Sequence, residues 1–319
     1  MPDAPARRAR QYVSAAKDEA IAWQRQLRAD LLRLLRLDDL VGAPRPDFET
    51  EVLSREPRDG CLRQELRVHT TAGRTMEMLL TLPPGSHQLE DGSIPGVVCI
   101  HGHGGDRFAV HDPDSIYLGF AAALAAGGYA TVAVDVGQHQ VYEAGRTLLG
   151  ERLWDLMRGV DCLAALPQVD AARLGCAGLS LGGEMAMWLG ALDERVAAEV
   201  SAGFLTTMDQ MEQNHCMCWK LDGLRELVDF ADLYALTAPR ALMCQNGLQE
   251  PETQFYVPLA QKAFREIIPA YRVLGAPKSV VLHVHGGGHE VALPALLSFL
   301  DQHLGGHAAA AGRRPGGRA

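Results

Sequence analysis

The stretch Arg173-Leu174-Gly175-Cys176-Ala177-Gly178-Leu179-Ser180-Leu181-Gly182-Gly183 runs from a short apolar strand into a turn crowded with glycine. A helical pattern follows from Gly183 to Leu192. Within the turn, Gly178 and Gly182 stand two positions to either side of Ser180, so the chain can reverse sharply from strand to helix and push the hydroxyl out above the edge of a sheet. An ordinary glycine-rich strand-to-helix turn has a similar composition. The position of this one, directly after a strand and directly before a helix, gives Ser180 its reading as a nucleophile.

Outward from that turn the chain alternates between two periods. Short apolar runs predict strands at Gly96 to Ile100, Ala130 to Val136, Arg173 to Ala177, Val196 to Val200, Arg240 to Gln245 and Ser279 to His285. Helical spacing is seen between or after them at Ile116 to Ala126, Arg152 to Leu166, Gly183 to Leu192, Leu259 to Tyr271 and Val291 to His303. Buried strands alternating with helices predict an α/β fold whose mostly parallel central sheet is covered on both faces. Leu62 to His69 and Met76 to Leu82 alternate around Thr71-Ala72-Gly73, the pattern of an antiparallel hairpin. The regularity breaks between residues 204 and 236, an excursion rich in Met, His, Cys and Trp that is expected to form a lid. Residues 1–59 read as a tail and an amphipathic helix (Asp18 to Leu40), which packs on its own domain or supports a homodimer. Residues 60–305 read as the catalytic domain, and 306–319 as a disordered tail of Ala, Gly and Arg.

A serine needs a base to take its proton, and the base needs a third group to orient it. After a nucleophile of this kind the acid comes next along the chain and the histidine last. The strand Arg240 to Gln245 runs into Asn246-Gly247-Leu248-Gln249-Glu250, and the strand Ser279 to His285 runs into Gly286-Gly287-Gly288-His289. Glu250 and His289 therefore fall at the sheet edge where Ser180 lies, the edge at which open α/β sheets gather their chemistry. Glu252 is an alternative acid if the turn is longer. The oxyanion needs preorganised donors. One is expected from the Leu181 N–H at a helix start, and the other from His103 or Gly104 in the loop His101-Gly102-His103-Gly104-Gly105. His101 reads as a structural ring that hydrogen-bonds this loop. Phe204, Met208, Met211, His215 and Trp219 of the excursion, with Gln138 and His139 after the strand ending at Val136, are expected to line the substrate pocket.

The composition narrows the partners. A chain of 319 residues with a net charge of −9 and no basic stripe in its body is not expected to bind nucleic acid. No apolar run approaches the roughly 18 residues of a membrane span, and no secretion signal is visible. Seven cysteines scattered through apolar runs suit a reducing compartment, so a cytoplasmic setting is expected. A dinucleotide site would need a third glycine after Gly102 and Gly104, where Arg107 stands instead. His283, His285 and His289, or His215, Cys216 and Cys218, suggest a metal, but without the local spacing of a metal hydrolase; no metal and no cofactor are expected.

With Ser180, Glu250, His289 and the His101 to Gly105 loop in order, the chain resembles the α/β-hydrolase superfamily. It is most similar there to the bacterial esterases around dienelactone hydrolases and acetyl xylan esterases. The resemblance spans about residues 60 to 305 and includes Ala191-Leu192-Asp193-Glu194-Arg195 and Ala231-Asp232-Leu233 before Ala238-Pro239-Arg240. It implies a serine hydrolase acting on a small carboxylic ester through an acyl-enzyme. Thioesters, lactones and peptides share the same machinery, and a non-catalytic binding protein can share the fold. Dienelactone hydrolases carry Cys where this chain has Ser180, and some acetyl esterases carry Tyr where it has His103.

Overall fold

The computed structural model describes residues 8–43, 50–86, 89, 91–212 and 215–305. The tail expected at 306–319 lies outside these residues. Nine strands form a single sheet in the order β1-β2-β3-β5-β4-β6-β7-β8-β9. The strands are β1 (Thr50–Arg58), β2 (Cys61–Thr71), β3 (Arg74–Leu82), β4 (Ile94–Ile100), β5 (Ala130–Val134), β6 (Val169–Leu179), β7 (Val196–Ala202), β8 (Ala241–Gly247) and β9 (Val280–His285). The first three strands and β5 pair antiparallel, and every pairing from β5 through β4 to β9 is parallel. β4, β5, β7 and β8 are buried along nearly their whole length because helices cover both sides.

The helices are α1 (Lys17–Leu34), α2 (Asp38–Gly42), α3 (Phe120–Ala126), α4 (Leu148–Ala165), α5 (Leu181–Leu192), α6 (Met208–Met211), α7 (Leu224–Leu227), α8 (Phe230–Ala235), α9 (Val257–Val273) and α10 (Leu293–Leu304). Two apolar cores lie on opposite faces of the sheet. α1, α4, α5, α8 and α9 contribute to one, and α3 and α10 to the other. The apolar side of α1 is spent on its own domain: Leu27 and Leu31 are fully buried. Its Gln24 side chain donates to the Ala238 carbonyl at 2.6 Å, and Arg28 reaches the Ala191 carbonyl at 3.0 Å.

Three elements differ from the sequence expectation. The helix expected from Asp18 to Leu40 ends at Leu34, as Arg36 takes left-handed backbone at φ 58°, and α2 starts anew at Asp38. β1 lies within the stretch read as tail and helix, 1–59. All nine of its residues are exposed, so Thr-Glu-Val-Leu-Ser-Arg-Glu-Pro-Arg carries no buried face and no alternation to mark it as a strand. The helix expected from Ile116 begins only at Phe120, because Leu118 and Gly119 take left-handed backbone, with φ of 51° and 59°. Ile116 and Tyr117 are thereby left in a turn. Among the described residues no helix is long and apolar enough to cross a membrane.

Candidate active site

Ser180 follows β6 and precedes α5 with φ 63° and ψ −123°, a backbone conformation that L-residues seldom adopt. The surrounding glycines make that turn possible. A Cβ on Gly178 would collide with the Gly182 carbonyl, one on Gly182 with the Ile100 carbonyl at the end of β4, and one on Gly183 would come 2.5 Å from the Ala202 oxygen. The Ser180 N–H donates to the Ala202 carbonyl at 2.9 Å, which ties the turn to β7. Sequence spacing and steric necessity thus agree on Gly178 and Gly182, and the structure adds Gly183.

Glu250 follows β8 and His289 follows β9. The His289 Nδ1 lies 2.8 Å from Glu250 Oε1, with the carboxylate side chain 1% exposed and the imidazole 29% exposed. Glu252, two residues further on, is exposed and is not joined to His289. The imidazole stacks on Phe255 with centroids 5.3 Å apart and planes 12° from parallel. Gly203, at φ +57°, leaves room for it, since a Cβ there would come 3.0 Å from the ring.

Ser180 and His289 open on one cavity of about 360 Å³, whose other walls include Gly102, His103, Ile116, Tyr117, His215 and Phe255. Tyr117 fixes one wall: its hydroxyl accepts the Gly102 N–H at 2.7 Å. The His101 ring is buried beneath the loop. Its Nε2 accepts the Val136 N–H at 3.0 Å, which assigns the proton to Nδ1, 2.8 Å from the Gly102 carbonyl. Burial lowers its pKa, in keeping with this neutral ring. Burial, then Arg152 and the neighbouring His139, His215 and His101, pushes His103 down to about 4. The His215 ring is also lowered, first by burial and then by His289.

The expected site residues separate into groups. The side chain of Leu181 and those of Phe204, Met211, His215 and Trp219 surround a small apolar void of about 10 Å³ beside the cavity. Met208 is buried in the core. Of the five excursion residues expected to line the pocket, His215 also borders the Ser180 cavity. Gln138 and Gly104 line a larger and more polar cleft, of about 810 Å³, on the far side of the His101 to Gly105 loop. That cleft contains neither Ser180 nor His289. His103 borders the smaller cavity and Gly104 the larger. His139 stands against Cys216, its Nε2 3.4 Å from the sulfur. Tyr117, Gly203 and Phe255 were not named from sequence. A tyrosine or phenylalanine in an irregular segment carries no periodic signal of which way it faces.

No protein-family model matches the chain. Among curated proteins it is similar to a Bacillus subtilis (strain 168) protein named as a hydrolase, YtaP, at 23% identity over 185 residues, 50% of this chain and 62% of that protein. Among solved structures it is similar to a Bacteroides fragilis NCTC 9343 protein described as an acetyl xylan esterase, with a TM-score of 0.71 and 19% identity over 88% of this chain and 79% of that one. A glucuronoyl esterase from Solibacter usitatus aligns with a TM-score of 0.63 and 18% identity, over 82% of this chain and 87% of that one. An acetyl xylan esterase from Paenibacillus sp. R4 gives 0.62 and 18%, over 92% and 97%. At these identities the likeness is one of fold, and the fold is that of the α/β-hydrolases.

Proposed function

We propose that this chain, an α/β-hydrolase by fold, is a serine hydrolase of small carboxylic esters. One observation carries the reading. Ser180 is held in a strained turn and faces the same cavity as an imidazole whose far nitrogen is 2.8 Å from a buried carboxylate. Such a set has little use in a binding protein. In the proposed cycle the Ser180 hydroxyl attacks the ester carbonyl and passes its proton to His289, while Glu250 stabilises the imidazolium. The N–H groups of Leu181, at the start of α5, and of His103 receive the developing oxyanion. His289 then returns the proton to the leaving alcohol. Water repeats the sequence on the acyl-enzyme and frees the acid and Ser180.

The cavity favours a compact, uncharged acyl group, because Ile116, Tyr117 and Phe255 give it apolar walls and no Lys or Arg among the described residues borders it. The structural neighbours named as acetyl xylan and glucuronoyl esterases support an ester as the bond cleaved. The test is turnover of p-nitrophenyl acetate, butyrate and octanoate, together with a matched thioester. Acetate is expected to be turned over fastest, and Ser180→Ala is expected to abolish turnover without lowering the thermal midpoint. Undiminished hydrolysis by Ser180→Ala would overturn the proposal.

A further inference from the structure

Beside the Ser180 cavity four side chains from three separate segments converge. His103 comes from the loop after β4, His139 from the loop after β5, and Cys216 and Cys218 flank Met217 at the short turn Met217–Trp219 of the excursion. The His103 Nε2 lies 3.0 Å from the Cys218 sulfur and the His139 Nε2 3.4 Å from the Cys216 sulfur. The two rings are 5.4 Å apart, and one potential ligand atom from each of the four residues lies within 4.8 Å of every other. We propose that His103, His139, Cys216 and Cys218 form a tetrahedral zinc site that fastens the excursion to the loop carrying His103.

The dimensions fit. Zn–S bonds of about 2.3 Å and Zn–N bonds of about 2.0 Å place the ligand atoms of a tetrahedron roughly 3.3 to 3.8 Å apart. The observed contacts bracket that range, so small side-chain rotations admit the ion. The donor set also selects the metal: two sulfurs and two imidazole nitrogens, with no oxygen, suit Zn²⁺ and exclude Mg²⁺ or Ca²⁺ as the resident ion. Orientation is supplied from behind. The His139 Nδ1 lies 3.0 Å from the Gly137 carbonyl, to which it donates, and this turns the lone pair of Nε2 toward the cysteines. The buried Arg152 adjoins Cys218 and supplies positive charge beside a metal-bound thiolate.

Binding replaces two thiol protons by one Zn²⁺ and releases those protons to solvent; no oxidant or reductant takes part. All four positions are protein ligands, so the site is closed and the role is structural rather than catalytic. Cys216 and His103 also border the Ser180 cavity, and the ion would hold that wall in place. From sequence alone, His215, Cys216 and Cys218 suggest one group and His283, His285 and His289 another. The structure instead stacks His283 and His285 on each other, 6.3 Å apart on β9, and joins His289 to Glu250.

The experiment measures metal by elemental analysis on untagged, reduced protein from zinc-supplemented cells, and follows Co²⁺ titration of the metal-stripped chain by absorption. Wild type is expected to carry about one zinc per chain, and the Co²⁺ form to show tetrahedral d–d bands with a thiolate charge-transfer band. Cys216→Ser and the exposed His139→Ala are expected to lose the bound zinc, and Cys216→Ser to weaken the charge-transfer band. Substoichiometric zinc in wild type with no charge-transfer band on Co²⁺ addition would overturn the site. So would full zinc retention in both variants while they remain folded by circular dichroism. Ser180→Ala is expected to keep its zinc while losing turnover, which separates failure of this site from failure of the ester-hydrolase reading.

Discussion

Replacing Glu250 by Gln tests the charge next to His289 while keeping its shape. The carboxamide oxygen can still accept a hydrogen bond from Nδ1–H, so the ring stays anchored and only the negative charge is lost. That charge acts when His289 becomes an imidazolium in the transition state. Over the 2.8 Å contact, and at the effective dielectric of about 20 suited to a partly exposed ring beside a buried carboxylate, the attraction is about 6 kcal/mol. Since about 1.4 kcal/mol is tenfold in rate, the variant is expected to lose about 10⁴-fold in kcat. That is also the size of effect known for an amide in place of a triad carboxylate. The assay is kcat and KM with p-nitrophenyl acetate, alongside a thermal melt, with Glu252→Gln as the comparison. Glu252 is exposed and is expected to tolerate the change within about twofold, as surface sites do. A Glu250→Gln enzyme within tenfold of wild type would refute the assignment. So would a large loss in Glu252→Gln alone.

Two further outcomes concern the scaffold around the site. Gly182→Ala would drive a methyl group into the Ile100 backbone, so a loss of about 3 kcal/mol in urea unfolding is expected; a variant as stable as wild type would show that the turn can open. Glu199 in β7 is fully buried, and burial pushes it up to about 8 despite the Thr237 hydroxyl that donates to it at 2.7 Å. Because the folded value lies above the unfolded one, its contribution to stability is complete below about pH 4.5 and is lost as the pH rises through about 8, amounting to about 4 kcal/mol by then. Glu199→Gln is expected to flatten the fall in stability between pH 5 and 8 in urea titrations; an unchanged slope would place the titrating group elsewhere.

The features legible in the sequence are those whose meaning is local. Gly178, Ser180 and Gly182 announce a strand-to-helix turn because their spacing is a steric requirement of one backbone path. Glu250 and His289 could be located because each follows directly on an apolar strand. What the sequence concealed depends on approach between distant segments. Phe204, Met211 and Trp219 have the composition of pocket residues, but side-chain direction in an irregular excursion has no period to read, and the chain turns them into the core around Phe230. His103 and His139 are separated in sequence from Cys216 and Cys218, so no ligand spacing marks them as a group. They meet only because β4 and β5 are neighbours and the excursion folds over their ends.

The exposure of β1 has a bearing on how the chain avoids sticking to itself. An edge strand offers unpaired backbone groups to any other edge, and this one is blunted along its length by Glu51, Arg55, Glu56, Pro57 and Arg58, with a register shift between Val52 and Ser54. β2 behind it is a different surface, with Cys61, Leu66 and Val68 buried. A chain lacking only residues 50–58 would keep every residue of the Ser180 cavity, yet it would bare β2 as an eleven-residue edge able to recruit other copies. The nine residues least recognisable as structure thus serve as the selvedge of the sheet, protecting its solubility rather than its chemistry.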